Sequence, residues 1–175
     1  FYYDTLKDIP SAIMCFQGEI DANPENGEGQ LDLANMYVLE KDVESASYWY
    51  ERAIEVTPEK PQRILMYANF LRNSQNLSKA VEIYDHLLLT FPDYTDAFYE
   101  AARAYAQNQQ PEKAIQSIEK ALQLMNPPQV KYYLLAGTLY EANGNKSEAL
   151  QAFENALLLD PNNNEALRAK ERLSN

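Results

Sequence analysis

The sequence predicts an all-α protein, a solenoid of stacked helix–turn–helix repeats, and three observations point to it. An alanine recurs at a fixed spacing: Ala46, Ala80 and Ala114 lie 34 residues apart, and Ala149 follows 35 later. Its surroundings recur with it. A tyrosine or leucine stands nine residues before each alanine (Tyr37, Leu71, Tyr105, Tyr140), and a ring or branched side chain four after (Tyr50, Tyr84, Ile118, Phe153). Three of the units close with proline twelve residues after the alanine, at Pro58, Pro92 and Pro161. A unit this short cannot bury its apolar face alone, so neighbours must stack to build a continuous core.

Four complete units fall at 27–60, 61–94, 95–129 and 130–163, with the extra residue expected in the Asn126-Pro127-Pro128 turn. A truncated unit, 1–26, precedes them, with Tyr3, Ala12, Phe16 and Pro24 in the matching places, and 164–175 reads as a polar capping helix. All of it reads as one solenoid domain. Each first helix needs a small residue where its partner crosses, because a bulky one would hold the backbones apart, and Ala34, Ala68, Ala102 and Gly137 stand there. The turns that follow carry polar residues and breakers: Lys41-Asp42, Gln75-Asn76, Gln109-Gln110-Pro111 and Gly144-Asn145. In the last second helix Ala149, Phe153, Ala156 and Leu157 fall on one apolar face. Proline at the unit end suits a helix start, where its missing N–H has no intrahelical partner to lose. Seven residues after the key alanine a small side chain recurs as Ala53, Ala121 and Ala156, but Glu19 and Leu87 stand there in two units, which predicts looser packing at both. The capping helix offers Leu167 and Leu173 for burial.

The series Gly137, Tyr140, Ala149, Phe153, Ala156, Pro161 resembles the tetratricopeptide repeat, a helix–turn–helix of 34 residues. The resemblance covers the four complete units. It implies a right-handed α–α superhelix whose first helices line a concave groove, and a non-catalytic protein–protein interaction scaffold that holds a partner peptide or helix there. In such repeats one groove row contains Leu31, Leu65, Tyr99 and Leu134 and the next Asn35, Asn69, Arg103 and Thr138, with Arg72 nearby. Asparagine amides can bond a peptide backbone, and arginines can pair with carboxylates. The alternative for the leucine row is that it supports neighbouring helices. One subclass of the family grips chaperone C-termini with a Lys/Asn/Asn/Lys/Arg set; its places are filled here by Leu31, Asn35, Met66, Asp96 and Glu100, so that clamp is not expected.

Other chemistries find little support. One cysteine, Cys15, cannot form an internal disulfide, and with one histidine, His86, it makes no zinc site of the usual type. Cys15, beside Phe16, is expected to be a buried small hydrophobe and His86 a surface or interface residue rather than a general base. No phosphate-cradling glycine loop and no GxSxG elbow occurs. The acid pairs Asp4/Asp8 and Glu51/Glu55 sit one helical turn apart, as solvated helix faces commonly do, and nothing converges on them. Trp49 and the tyrosines Tyr37, Tyr50, Tyr84, Tyr105 and Tyr140 read as packing residues before ligand stackers. No enzyme activity, cofactor or metal is expected.

Charge is uneven. Residues 1–60 hold 13 acids and 4 bases, and 61–175 hold 13 acids and 11 bases, for a total net charge of −11. Without a Lys/Arg stripe, nucleic acid is an improbable partner, whereas a basic protein can be steered to the acidic end. The simpler reading is that acidic helix surfaces keep a solenoid soluble. No apolar run approaches the roughly 20 residues that cross a bilayer. Phe1 falls inside the first helix of a unit with no initiator methionine before it, so the chain is expected to be a piece of a longer one, and the compartment stays open between cytoplasm and bacterial periplasm. The alternatives to a peptide-binding scaffold are a structural or regulatory arm of a larger enzyme or assembly, and a homo-oligomer formed through exposed solenoid ends.

Overall fold

The computed structural model describes residues 8–174. Phe1, Tyr3 and Asp4, which the readings above used, and Asn175 at the end of the cap lie outside the described residues. The described chain is all α-helix and turn, without a strand. Its helices are α1 (Ile9–Ala22), α2 (Gly27–Glu40), α3 (Val43–Val56), α4 (Pro61–Asn73), α5 (Leu77–Thr90), α6 (Thr95–Gln107), α7 (Pro111–Leu124), α8 (Val130–Ala142), α9 (Lys146–Leu159) and α10 (Asn164–Ser174). The chain divides into two compact units, residues 1–87 and 88–175, and each has its own interior.

The ends of the helices follow from local chemistry. Asp8, Asn26 and Asp42 accept the backbone N–H three residues on, from Ser11, Gly29 and Ser45, at 3.2, 3.2 and 3.0 Å. Each such cap is worth about 1 kcal/mol. Pro61 and Pro111 open α4 and α7, where no intrahelical donor is lost. Within every hairpin the turn residue is left-handed: Lys41, Gln75, Gln109 and Gly144 have φ of 62, 63, 57 and 80°. That conformation lets the next N–H reach back to the carbonyl of the residue nine before the repeat alanine. Asp42 bonds Tyr37, Asn76 bonds Leu71, Gln110 bonds Tyr105 and Asn145 bonds Tyr140, all at 2.8–3.0 Å. Only Gly144 adopts it freely; a side chain there costs roughly 1–2 kcal/mol.

In the first unit Ala34, Ala46, Ala53, Ala68 and Ala80 have no exposed surface, and Leu33, Tyr67, Leu71, Tyr84 and Leu87 fill the space between them. Leu87 is fully buried, so the helices accommodate it, and the looser packing expected there is not seen in its burial. Tyr50 stacks on Tyr67 with ring centres 5.5 Å apart and leans on Phe70 at 5.4 Å. Arg63 is a buried cation. One end of its guanidinium meets Glu28 at 2.5 Å, and the other bonds the Thr57 hydroxyl and, at 3.4 Å, the Ala53 carbonyl. The Arg63 bond, then that of Lys60, holds the Glu28 carboxyl below its usual range. A Cβ on Gly27 would overlap that guanidinium and force it to shift.

Cys15 is exposed, contrary to the expectation of burial. The packed stripe of α1 runs through Ala12, Phe16 and Ile20, and Cys15 lies about 100° around the helix from its centre.

In the second unit Ala102, Ala114, Ala121, Ala149 and Ala156 are fully buried beside Tyr105, Ile118, Tyr132 and Phe153. The loop between α7 and α8 spans residues 125–129, five where the loops 57–60, 91–94 and 160–163 have four, so it holds the extra residue. Gly137 of α8 faces the Phe153 ring so closely that a Cβ would stand 2.7 Å from Cε1 and Cζ. The final helix buries Ala166, Ala169 and Leu173 against Ala149, Phe153 and Ala156. Leu167, expected to be buried, is 44% exposed because it stands one residue off that stripe. Arg172 grips Glu141 through two bonds of 2.8 and 2.6 Å, and Lys170 meets Glu154 at 2.8 Å, which fixes α10 to α8 and α9. Of the five repeat tyrosines Tyr50, Tyr84 and Tyr105 are buried, whereas Tyr37 and Tyr140 are half-exposed.

Candidate functional site

In the first unit, α2, α3 and α4 and the turn after α2 enclose an open cleft of about 410 Å³. Val38, Val43, Tyr50, Met66 and Phe70 give it an apolar lining, and Lys41, Asn69, Asn73 and Ser74 supply polar groups. The asparagines of the predicted row are built into the fold by a bond that repeats. Tyr50 donates its hydroxyl to Asn35 Oδ1 at 2.9 Å, and Tyr84 donates to Asn69 Oδ1 at 2.6 Å, in each case fifteen residues further on. Each amide oxygen is therefore spent on the core. The two N–H groups of each amide have no partner among the described residues, and those of Asn69 stand at the cleft. Burial pushes the Tyr50 hydroxyl up to about 12, so it remains a neutral donor at ordinary pH.

The other predicted residues of this unit are less available. Arg72 is only 7% exposed and reaches Asn69 Oδ1 at 3.4 Å. Leu31, Asn35 and Leu65 are half-buried and do not line the cleft. Val38, Met66, Phe70 and Asn73 do, and reading equivalent positions alone missed them. A signal was there: Met66, Asn69, Phe70 and Asn73 follow at intervals of three, one and three, a stripe along one helix.

In the second unit the predicted residues take separate roles. Tyr99 packs against Tyr132 with ring centres 4.9 Å apart, between the cations Lys131, 5.1 Å from its centre, and Arg103, 6.0 Å. Arg103 already pairs with Glu100 at 3.0 Å. Tyr132 donates to Asp96 at 2.9 Å; burial first, then that bond, raises its hydroxyl well above the usual range. Leu134 packs on the cluster around Phe153, a supporting role. Thr138 bonds back to the Leu134 carbonyl at 2.9 Å and lines a second cleft with Glu141, Phe153, Glu165, Arg168 and Arg172.

The acid pair Glu51/Glu55 does not form a shared carboxylate site. Glu51 meets Lys79 at 2.6 Å and accepts from Tyr67 at 2.7 Å, while Glu55 pairs with Arg52 at 2.6 Å. His86 is exposed. Among the described residues no group of three His, Cys, Asp or Glu side chains could hold a metal, and no helix is long and apolar enough to cross a membrane.

Hairpins of this register, each closed by the same left-handed turn and packed through the same alanines, define a helical-repeat protein, and the fold is that of tetratricopeptide-repeat proteins. The family described as anaphase-promoting complex, cyclosome, subunit 3 matches residues 73–156, a little under half of the chain. Among solved structures, a tetratricopeptide repeat protein from Parabacteroides merdae superimposes with a TM-score of 0.79 at 22% identity, covering 98% of this chain and 68% of that one. YrrB, described as a TPR protein with an unusual peptide-binding site, gives 0.76 at 17% identity over 96% and 86%. MamA gives 0.73 at 20% identity over 98% and 94%. No curated protein matches the chain by sequence.

Proposed function

We propose that the chain is a non-catalytic protein–protein interaction module that holds a segment of a partner protein against its first helices, with the α2–α4 cleft as a principal contact. One observation carries this reading: an open apolar cleft has at its edge an amide, that of Asn69, whose oxygen is bound by Tyr84 while its N–H groups have no partner among the described residues. A side chain from the partner fills such a cleft while the amide bonds a main-chain carbonyl. The likeness of fold to YrrB is consistent with it. The reading is the same whether the module acts alone or as an arm of a larger assembly.

Met66 offers the cleanest test. It lines the cleft but is 38% exposed, so Met66→Gln is expected to leave helicity and melting unchanged. Peptides selected from a displayed random library on the wild-type protein are expected to bind this variant about tenfold more weakly. Undiminished affinity would place the contact elsewhere. Asn69→Ala is a poorer probe, because it leaves the buried Tyr84 hydroxyl without the Asn69 acceptor and costs stability as well as binding.

A further inference from the structure

The charge around the α2–α4 cleft specifies what kind of segment enters it, an inference that rests on the cleft being the docking site. Between residues 8 and 60 the chain carries twelve acids and three bases. Two of those bases are already engaged, Arg52 with Glu55 and Lys60 with Glu28. The third, Lys41, stands at the cleft among Glu40, Asp42 and Glu44, all exposed, so the turn at its rim keeps a net negative charge. The Ser45 side chain and backbone bonds hold the Asp42 carboxyl low, so it stays ionised. Of the other described first-unit cations, Arg63 and Lys79 are paired with Glu28 and Glu51, and Arg72, which reaches Asn69, is only 7% exposed, so the charge presented to solvent at the rim is set by Glu40, Lys41, Asp42 and Glu44.

We propose that the cleft takes a basic peptide segment: a bulky apolar side chain seats among Val38, Tyr50, Met66 and Phe70, and flanking Lys or Arg residues face Glu40 and Glu44. Apolar contact supplies most of the affinity, whereas the acidic rim selects among partners and speeds encounter. An acidic segment with the same apolar residue meets like charge and is rejected. Phosphate-bearing ligands are repelled by the same field.

The test uses the intact chain and peptides selected on it from a random displayed library. The expected consensus is one bulky apolar residue flanked by Lys or Arg. Affinity for such a peptide should fall about tenfold on Met66→Gln. It should fall about three- to tenfold on Glu40→Gln with Glu44→Gln, with a weaker salt dependence in the double variant. A consensus that needs Met66 but is acidic or uncharged, or that ignores the glutamate substitutions, overturns the basic partner and leaves the docking site standing. Selected peptides indifferent to Met66→Gln, or no selected peptide at all, overturn the docking site and this inference with it.

Discussion

Phe153→Ala is expected to destabilise the second unit by about 3–5 kcal/mol in urea unfolding. The ring is 1% exposed and touches three elements at once: Gly137 of α8, the alanine stripe of α9 and, in α10, Ala166, Ala169 and Leu173. Removing it leaves a cavity among α8, α9 and α10 that the surrounding side chains fill only in part. A domain of this size is stable by roughly 0.05–0.15 kcal/mol per residue, so the loss consumes much of what holds the unit folded. A fall below about 1 kcal/mol would mean that Phe153 is not the keystone of this packing.

Gly137→Leu is the complementary insult and is expected to cost about 3 kcal/mol or more. Even a Cβ would stand 2.7 Å from the Phe153 ring, and a buried ring cannot swing aside as the end of a lysine could. The two substitutions meet at one contact, so their effects are expected not to add. The pair Gly137→Leu with Phe153→Ala should lie well above the stability that the sum of the single losses gives, because the new side chain enters the space the ring vacates. Additive losses would show that the two residues do not pack against each other.

The repeat register was legible because it is written in small residues whose size is the constraint. Ala46, Ala80, Ala114 and Ala149 are all fully buried, and any larger side chain would part the helices. What lay one residue off the stripe was harder to read. Cys15 and Leu167 are apolar, yet both stand off the packed face, and hydrophobicity alone does not say which side of a short helix a residue takes. The division of the contacts into two units was invisible, since the repeat runs through position 87 without a break.

The site was legible only in part. Asn69 was found at the cleft, but the sequence did not reveal that its oxygen is bound inward, although the same Asn to Tyr spacing of fifteen occurs at Asn35–Tyr50 and Asn69–Tyr84. Where the spacing instead joins Arg103 to Ile118 or Thr138 to Phe153 the bond cannot form, and those side chains turn to Glu100 and to the helix backbone. Arg72 was read as a groove cation and is buried. Equivalent positions in successive repeats thus share a backbone place without sharing a job.

The most direct measurement is a chemical-shift map of the isotopically labelled protein titrated with a peptide selected on it. The side-chain N–H signals of Asn69 and Asn73 and the methyl signals of Val38 and Met66 should move together and saturate at the same peptide concentration. Shifts confined to Leu122, Tyr133, Tyr140 and Gln151, which line a different cleft between α7, α8 and α9, would contradict the account.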